Sequence, residues 1–217
     1  GGDMSYWTNR ALVVRNFEYC KAMSVARSEH TLHNINFMVH NYFGDPQIHH
    51  LQHGNTSTYY VDGTNGDDSN DGLSWGHAFA TIHEAISHCN TADEYHLDSI
   101  YVAEGMYTET IDMAANVAIY GGFPAGGGDR SVIGYPVYID DMSTAREVTG
   151  NYIKNILLDG LVFMNGSGIS FTGSLNVIIR DCTFEMNSAS GDGGAIHFDT
   201  CSGRLIRNTI MNNYAQD

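Results

Sequence analysis

The chain is poor in positive charge and in proline. It holds two lysines, and its ten basic residues face twenty-five acidic ones, a net charge of −15 over 217 residues. Such an excess repels phosphate backbones and removes nucleic acid from the expected partners. It suits a surface bathed in salt and divalent cations. No apolar run approaches the roughly 18 residues that mark a membrane-crossing helix, so no membrane insertion is expected. Three prolines provide few rigid breaks, whereas 24 glycines imply many tight corners. The four cysteines, Cys20, Cys89, Cys182 and Cys201, lack metal-type spacing. Cys20, Cys89 and Cys182 lie among apolar neighbours and read as small buried thiols, with a Cys182–Cys201 disulfide as the competing reading. What is present, 42% hydrophobic residues, suffices for one sizeable core.

A domain start is legible near Thr58, where Tyr59-Tyr60-Val61-Asp62 reads as a strand before a loop rich in Gly, Asn and Asp. Thr81-Ile82-His83-Glu84 has the capping-box pattern, and Ile82, Ala85, Ile86 and Cys89 share one helical face. A short helix here is expected to close one end of a sheet stack and protect its edges. After Asp98 the period becomes two. Ile100-Tyr101-Val102-Ala103 and Val117-Ala118-Ile119-Tyr120 read as strands, each followed by glycine turns.

A degenerate repeat then narrows the architecture. Leu158-Asp159-Gly160-Leu161-Val162-Phe163 and Ile179-Arg180-Asp181-Cys182-Thr183-Phe184 share one pattern of strand, polar corner and large apolar residue. Ile206-Arg207-Asn208-Thr209-Ile210-Met211, Val14-Arg15-Asn16-Phe17-Glu18-Tyr19 and Leu32-His33-Asn34-Ile35-Asn36-Phe37 continue it. A spacing of about 20 to 27 residues is one turn of a three-faced solenoid. The expected stacks are a corner ladder of Asp181, Asn208, Asn16 and Asn34 headed by Gly160, and an inner row of Phe163, Phe184, Met211, Tyr19 and Phe37.

The repeat also runs through the junction Asp217, Gly1, Gly2, because Asp192-Gly193-Gly194 stands as far ahead of Ile206-Arg207-Asn208 as Asp217-Gly1-Gly2 stands ahead of Val14-Arg15-Asn16. The expected organisation is 1–44 as final rungs continuing from 217, 45–58 as linker, and 59–217 as cap and main rungs. One unit of a tandem array, separate copies docking end to end, and a circular permutant all account for that register.

The opening Tyr60-Val61-Asp62, Gly66-Asp67, Asn70-Asp71-Gly72, Ser74-Trp75, Ala78-Phe79, Thr81-Ile82 and Ala85-Ile86, continuing through Ile100 to Gly105, Tyr107 and Val117 to Phe123, resembles secreted bacterial surface proteins of the pectate-lyase-like superfamily. The resemblance implies an all-β fold, a right-handed parallel β-helix with a short N-terminal capping helix. It implies a secreted or cell-surface location. It implies little about activity, since lyases, hydrolases, adhesins and structural modules share that fold.

Several residues invite chemistry. Asp62, Asp67, Asp68 and Asp71 are candidate calcium ligands in an oxygen-rich loop, although the spacing is not that of an EF-hand and tight-turn chemistry accounts for the same residues. No other cofactor is expected. Arg15, Arg180 and Arg207 fall at equivalent places in the repeat, where they could contact an acidic glycan or pair with carboxylates. The pairs Asp67-Asp68 and Asp140-Asp141 read as solvated turns rather than as glycosidase acids. His49, His50 and His53 read as linker histidines, lacking a convincing ligand set. Asn55-Thr56-Ser57 and Asn165-Gly166-Ser167 fit the glycosylation pattern. The reading that absorbs most of these features is a structural subunit of an extracellular fibre, assembled head to tail from copies of itself. A polysaccharide lyase or a glycan-binding adhesin is the alternative.

Overall fold

The chain divides into two units, Gly1–Gly54 and Asn55–Asp217. The computed structural model describes residues 56–92, 97–140 and 146–215, all within the second unit. The expectations placed on Gly1, Gly2, Arg15, Asn16, Tyr19, Cys20, Asn34, Phe37, the linker histidines, Asn55, Asp141 and Asp217 lie outside the described residues.

The described part is mostly β, with parallel sheets and one α-helix. The strands are short because an alternating apolar residue is soon followed by glycine, asparagine or aspartate. In chain order they are β1 (Thr58–Val61), β2 (Asp98–Ala103), β3 (Gly105–Tyr107), β4 (Ile111–Asp112), β5 (Val117–Phe123) and β6 (Val137–Ile139). Next come β7 (Val148–Asn151), β8 (Lys154–Asp159), β9 (Leu161–Met164), β10 (Ile169–Thr172), β11 (Leu175–Arg180) and β12 (Thr183–Glu185). The last are β13 (Ser188–Ala189), β14 (Ile196–Asp199), β15 (Gly203–Ile206), β16 (Thr209–Met211) and β17 (Tyr214–Ala215).

The first sheet runs β1-β2-β5-β8-β11-β15, the second β16-β12-β9-β6-β3, and the third β14-β10-β7-β4, with β13 and β17 as a further pair. Every pairing is parallel. The chain therefore visits the first, second and third sheets in turn and then returns to the first, one strand further along. Inward residues meet their own kind a circuit later: Ile119, Leu158 and Ile179 stand side by side, as do Ile139, Phe163 and Phe184. All six are fully buried. Phe163 and Phe184 stack at 4.9 Å between ring centroids.

Corners recur in register. Residues in the left-handed region sit at Gly160, Asp181 and Arg207, and again at Asn116, Asn155 and Asn176. Asparagine tolerates that geometry better than most side chains, and stacked copies bond to one another. The Asn155 amide donates to Asn116 Oδ1 at 2.8 Å, and Asn176 donates to Asn155 Oδ1 at 3.0 Å, 21 residues on.

This register corrects the alignment read from the sequence by one residue in the last circuit. Leu205, not Ile206, stands beside Ile179, and Ile210, not Met211, stands beside Phe184. Met211 pairs with Glu185 instead. The left-handed corner thus falls on Arg207 rather than Asn208. Asn208 turns back toward the preceding circuit, accepting from the Cys182 N–H at 3.0 Å and donating to the Ile179 carbonyl at 2.8 Å. Two adjacent aliphatic residues, Leu205 and Ile206, make either register look sound in the sequence. The hydrogen bonds open to Asn208 separate them.

At the other end, helix α1 (Ile82–Ser87) packs against β1, β2 and β4. Its buried face is Ile82, Ala85 and Ile86, as the spacing predicts. The capping box forms only by half. Thr81 Oγ1 accepts from the Glu84 N–H, but the Glu84 carboxylate turns to His88, and the Thr81 N–H goes to Asp68. The Glu109 carboxylate caps the helix from another strand turn, taking the N–H groups of Ile82 and His83 at 2.9 Å each.

Candidate functional site

The acidic loop does not converge on a cation. Asp62, fully buried, accepts from the backbone of Thr64, Asn65 and Gly126 and from the Asn65 side chain, at 2.8–3.1 Å. Burial pushes its carboxyl up. The Asn65 amide and the three N–H groups outweigh that and hold it below the usual carboxylate range. Asp67 accepts from the N–H and hydroxyl of Ser69, Asp71 from the Leu73 N–H. Asp68 ties the loop to the helix start through the N–H groups of Ala80 and Thr81 and the Thr81 hydroxyl. Each carboxylate accepts from turn, loop or helix-start donors. Among the described residues, no group of three or more His, Cys, Asp or Glu is placed to hold a metal ion. The four residues singled out for calcium, Asp62, Asp67, Asp68 and Asp71, thus each accept from neighbouring N–H, amide or hydroxyl groups.

Arg180 and Arg207 do not share one row. Arg180 stands in register with Asp159 and Ile206, while Arg207 occupies the corner beside Asp181. Arg180 places Nε 2.6 Å and Nη2 2.5 Å from Asp159 Oδ2. Arg207 binds both oxygens of Asp181, at 2.7 and 2.6 Å. That bidentate contact holds the Asp181 carboxyl below its usual range. The fully buried Asp159 has a second cation, Arg130, whose Nη2 lies 2.7 Å from Oδ1. Arg130 also donates from Nε to the Gly121 carbonyl and covers the Tyr120 ring. Sequence reasoning missed Arg130, and likewise Arg146, which donates to the carbonyls of Ser167, Gly193 and Asp192. Both lie outside the repeated segments, so periodicity carried no signal for them.

Cys89, Cys182 and Cys201 are free thiols, so the Cys182–Cys201 bridge does not form. Cys182 and Cys201 belong to different corners: Cys201 accepts from the Ser174 N–H and reaches the Phe171 carbonyl, whereas Cys182 lies near the Leu158 carbonyl. Asp140 is buried and accepts from the Asn165 amide at 2.9 Å, which corrects its reading as a solvated turn residue.

What stands out is the last circuit. Leu205 and Ile210 are 51% and 53% exposed, although their partners in register, Ile179 and Phe184, are fully buried. Phe198 covers Phe171 edge-on at 5.9 Å and is itself only partly buried. β14, β15 and β16 are end strands of their sheets and β17 pairs only with β13, so one row of backbone N–H and C=O groups on each has no ladder partner among the described residues. The circuit is nevertheless fastened below. Asn213 accepts from the Asn187 N–H at 3.0 Å and donates to the Phe184 carbonyl at 2.9 Å, as Asn208 and Cys201 do at the other two corners. The result is a half-covered apolar layer bounded by four strand edges that have no ladder partner among the described residues. Covering the exposed halves of Leu205 and Ile210 would contribute about 1 kcal/mol each. Compared with family models, curated proteins and solved structures, the chain matches none.

Proposed function

We propose that the described unit is a right-handed parallel β-helix of the pectate-lyase-like kind, serving as the structural subunit of an extracellular or cell-surface fibre assembled head to tail. Support for the solenoid is the order in which the chain visits three sheets, every pairing among the described strands parallel, with buried residues such as Leu158 and Ile179 or Phe163 and Phe184 in register. The observation that carries the assembly is the asymmetry of the two ends. One is covered by α1; the other leaves Leu205 and Ile210 half exposed on strands whose outer edges have no partner among the described residues. Natural proteins block such edges unless they use them. The charge of −15 keeps copies soluble until their edges meet.

A lyase on the same face needs an arginine free to take a proton from a sugar. Arg180 and Arg207 are instead engaged with Asp159 and Asp181. Electron microscopy of purified protein over a dilution series tests the proposal. Fibres with an axial repeat of one unit are the expected result; monomers at every concentration would overturn it.

A further inference from the structure

The sequence holds two Asn-Gly pairs, Asn65-Gly66 and Asn165-Gly166. This dipeptide loses ammonia in water more readily than other asparagine pairs, because glycine puts no side chain in the way of its own nitrogen. The glycine N–H gives up its proton, the nitrogen bonds to the asparagine Cγ, and the Cγ–Nδ2 bond breaks to release ammonia. Water then opens the resulting succinimide at either carbonyl, leaving aspartate or isoaspartate. The step needs what amide hydrogen exchange needs, an N–H released from its acceptor on a backbone free to move.

Both pairs are closed in the folded chain, by different means. Gly66 donates to the Asp62 carbonyl in its own loop at 2.7 Å, and the Asn65 amide donates to Asp62 Oδ2 at 3.0 Å. Asn165 is exposed and in the left-handed region, and its amide donates to the buried Asp140 at 2.9 Å. Gly166 is buried. Its N–H donates to Asn187 Oδ1 at 3.1 Å, and its carbonyl accepts from the Ser188 N–H at 2.7 Å. Asn187 is 1% exposed and held from two sides. Its side-chain amide donates to the Phe163 carbonyl at 3.0 Å. Its backbone N–H donates to Asn213 Oδ1 at 3.0 Å, and its carbonyl accepts from the Tyr214 N–H at 2.8 Å. The lock on Gly66 is therefore local, whereas the lock on Gly166 runs through Asn187 to the last circuit.

We infer that Asn165 is a deamidation site gated by the last circuit. While Asn213 and β17 hold Asn187, the Gly166 nitrogen stays bonded and Asn165 is preserved. When they lift away, the nitrogen is free to attack. The product no longer fits the corner. An aspartate at 165 presents a carboxylate oxygen where the amide donated to Asp140, setting two carboxylates against each other. Deamidation thus makes permanent an opening that the folded chain would otherwise reverse. It does so in a single copy, whether or not copies assemble.

The test is peptide mapping by mass spectrometry of full-length protein aged in mildly alkaline buffer, native and in urea, reading aspartate and isoaspartate at positions 65 and 165. The expected result is conversion slower in native protein at both sites, by about tenfold or more. Asn213→Ala removes the acceptor of the Asn187 N–H. It should speed conversion at Asn165 several-fold in native protein and leave Asn65 at the parent's rate. Native Asn165 converting as fast as in urea overturns the lock. Equal acceleration at both sites in the N213A variant means that the chain opens as a whole, and overturns the gating by the last circuit. Acceleration at neither site overturns it as well. Asn165→Asp, made directly, should lower the urea midpoint; a midpoint equal to the parent's overturns the permanence of the change.

Discussion

A carboxylate without solvent exposure persists only where cations and N–H groups replace its lost water, and Asp159 has Arg130 and Arg180 in that place. Asp159→Ala leaves the partly buried guanidiniums of Arg130 and Arg180 without their shared carboxylate. It should cost about 3 kcal/mol, the low end for breaking a buried pair because the arginines keep some water. Urea unfolding of the variant reads that directly. Arg207→Ala removes an exposed contact to Asp181 and should leave the midpoint within error. Asp62 makes a pH-dependent contribution. Its folded pKa is depressed, so its stabilisation is present above the ordinary carboxylate value near 3.8 and fades as pH falls through the lower, folded one. The stability gap between parent and Asp62→Asn should therefore be constant from pH 7 to 5 and close below about pH 4. The thiols offer a third reading at this scale. Burial pushes Cys182 and Cys89 up to about 12, so iodoacetamide at pH 8 should modify neither until denaturant is added. Rapid labelling of Cys182 in native protein would show that its corner opens.

Helix α1 shows how an element can be right in the sequence and differently fastened in space. Thr81, the apolar face and the start were all legible, because capping and periodicity are local. The partner of the Thr81 N–H was not. Glu84 was the local candidate, yet Asp68 reached it from the preceding loop, and Glu109 took the next two N–H groups. Thr81→Ala should thus cost about 1 kcal/mol, as N-cap losses do. Glu84→Ala should cost a few tenths, the scale of an exposed pair one helical turn apart. Paired denaturation curves decide the matter, and equal losses would restore the reciprocal box. Strand corners follow the same logic. Asn116, Asn155 and Asn176 form a ladder that no single turn announces, since each side chain bonds to a neighbour one circuit away.

On the scale of the described unit, α1 covers one end, and the other, where Leu205 and Ile210 are half exposed, carries the proposed activity. Leu205→Glu adds a charge to an edge residue that is already half in water. Fibres should disappear while the melting temperature shifts by no more than a few degrees, read by sedimentation velocity and circular dichroism together. Loss of folding instead would mean that Leu205 belongs to the core of the single copy. What the sequence determined alone was the period: alternation within strands, apolar rows such as Phe163 and Phe184, and the helical face of Ile82, Ala85 and Ile86. These follow from the geometry of one strand or one helix, which needs no partner to be read. Only the tertiary structure decided the register of the last circuit, the division of the arginines between Asp159 and Asp181, and the closing of the acidic loop onto its own turns. Each of those depends on which side chain another segment brings within hydrogen-bond reach, and a one-residue slip leaves the local pattern almost unchanged while moving every contact.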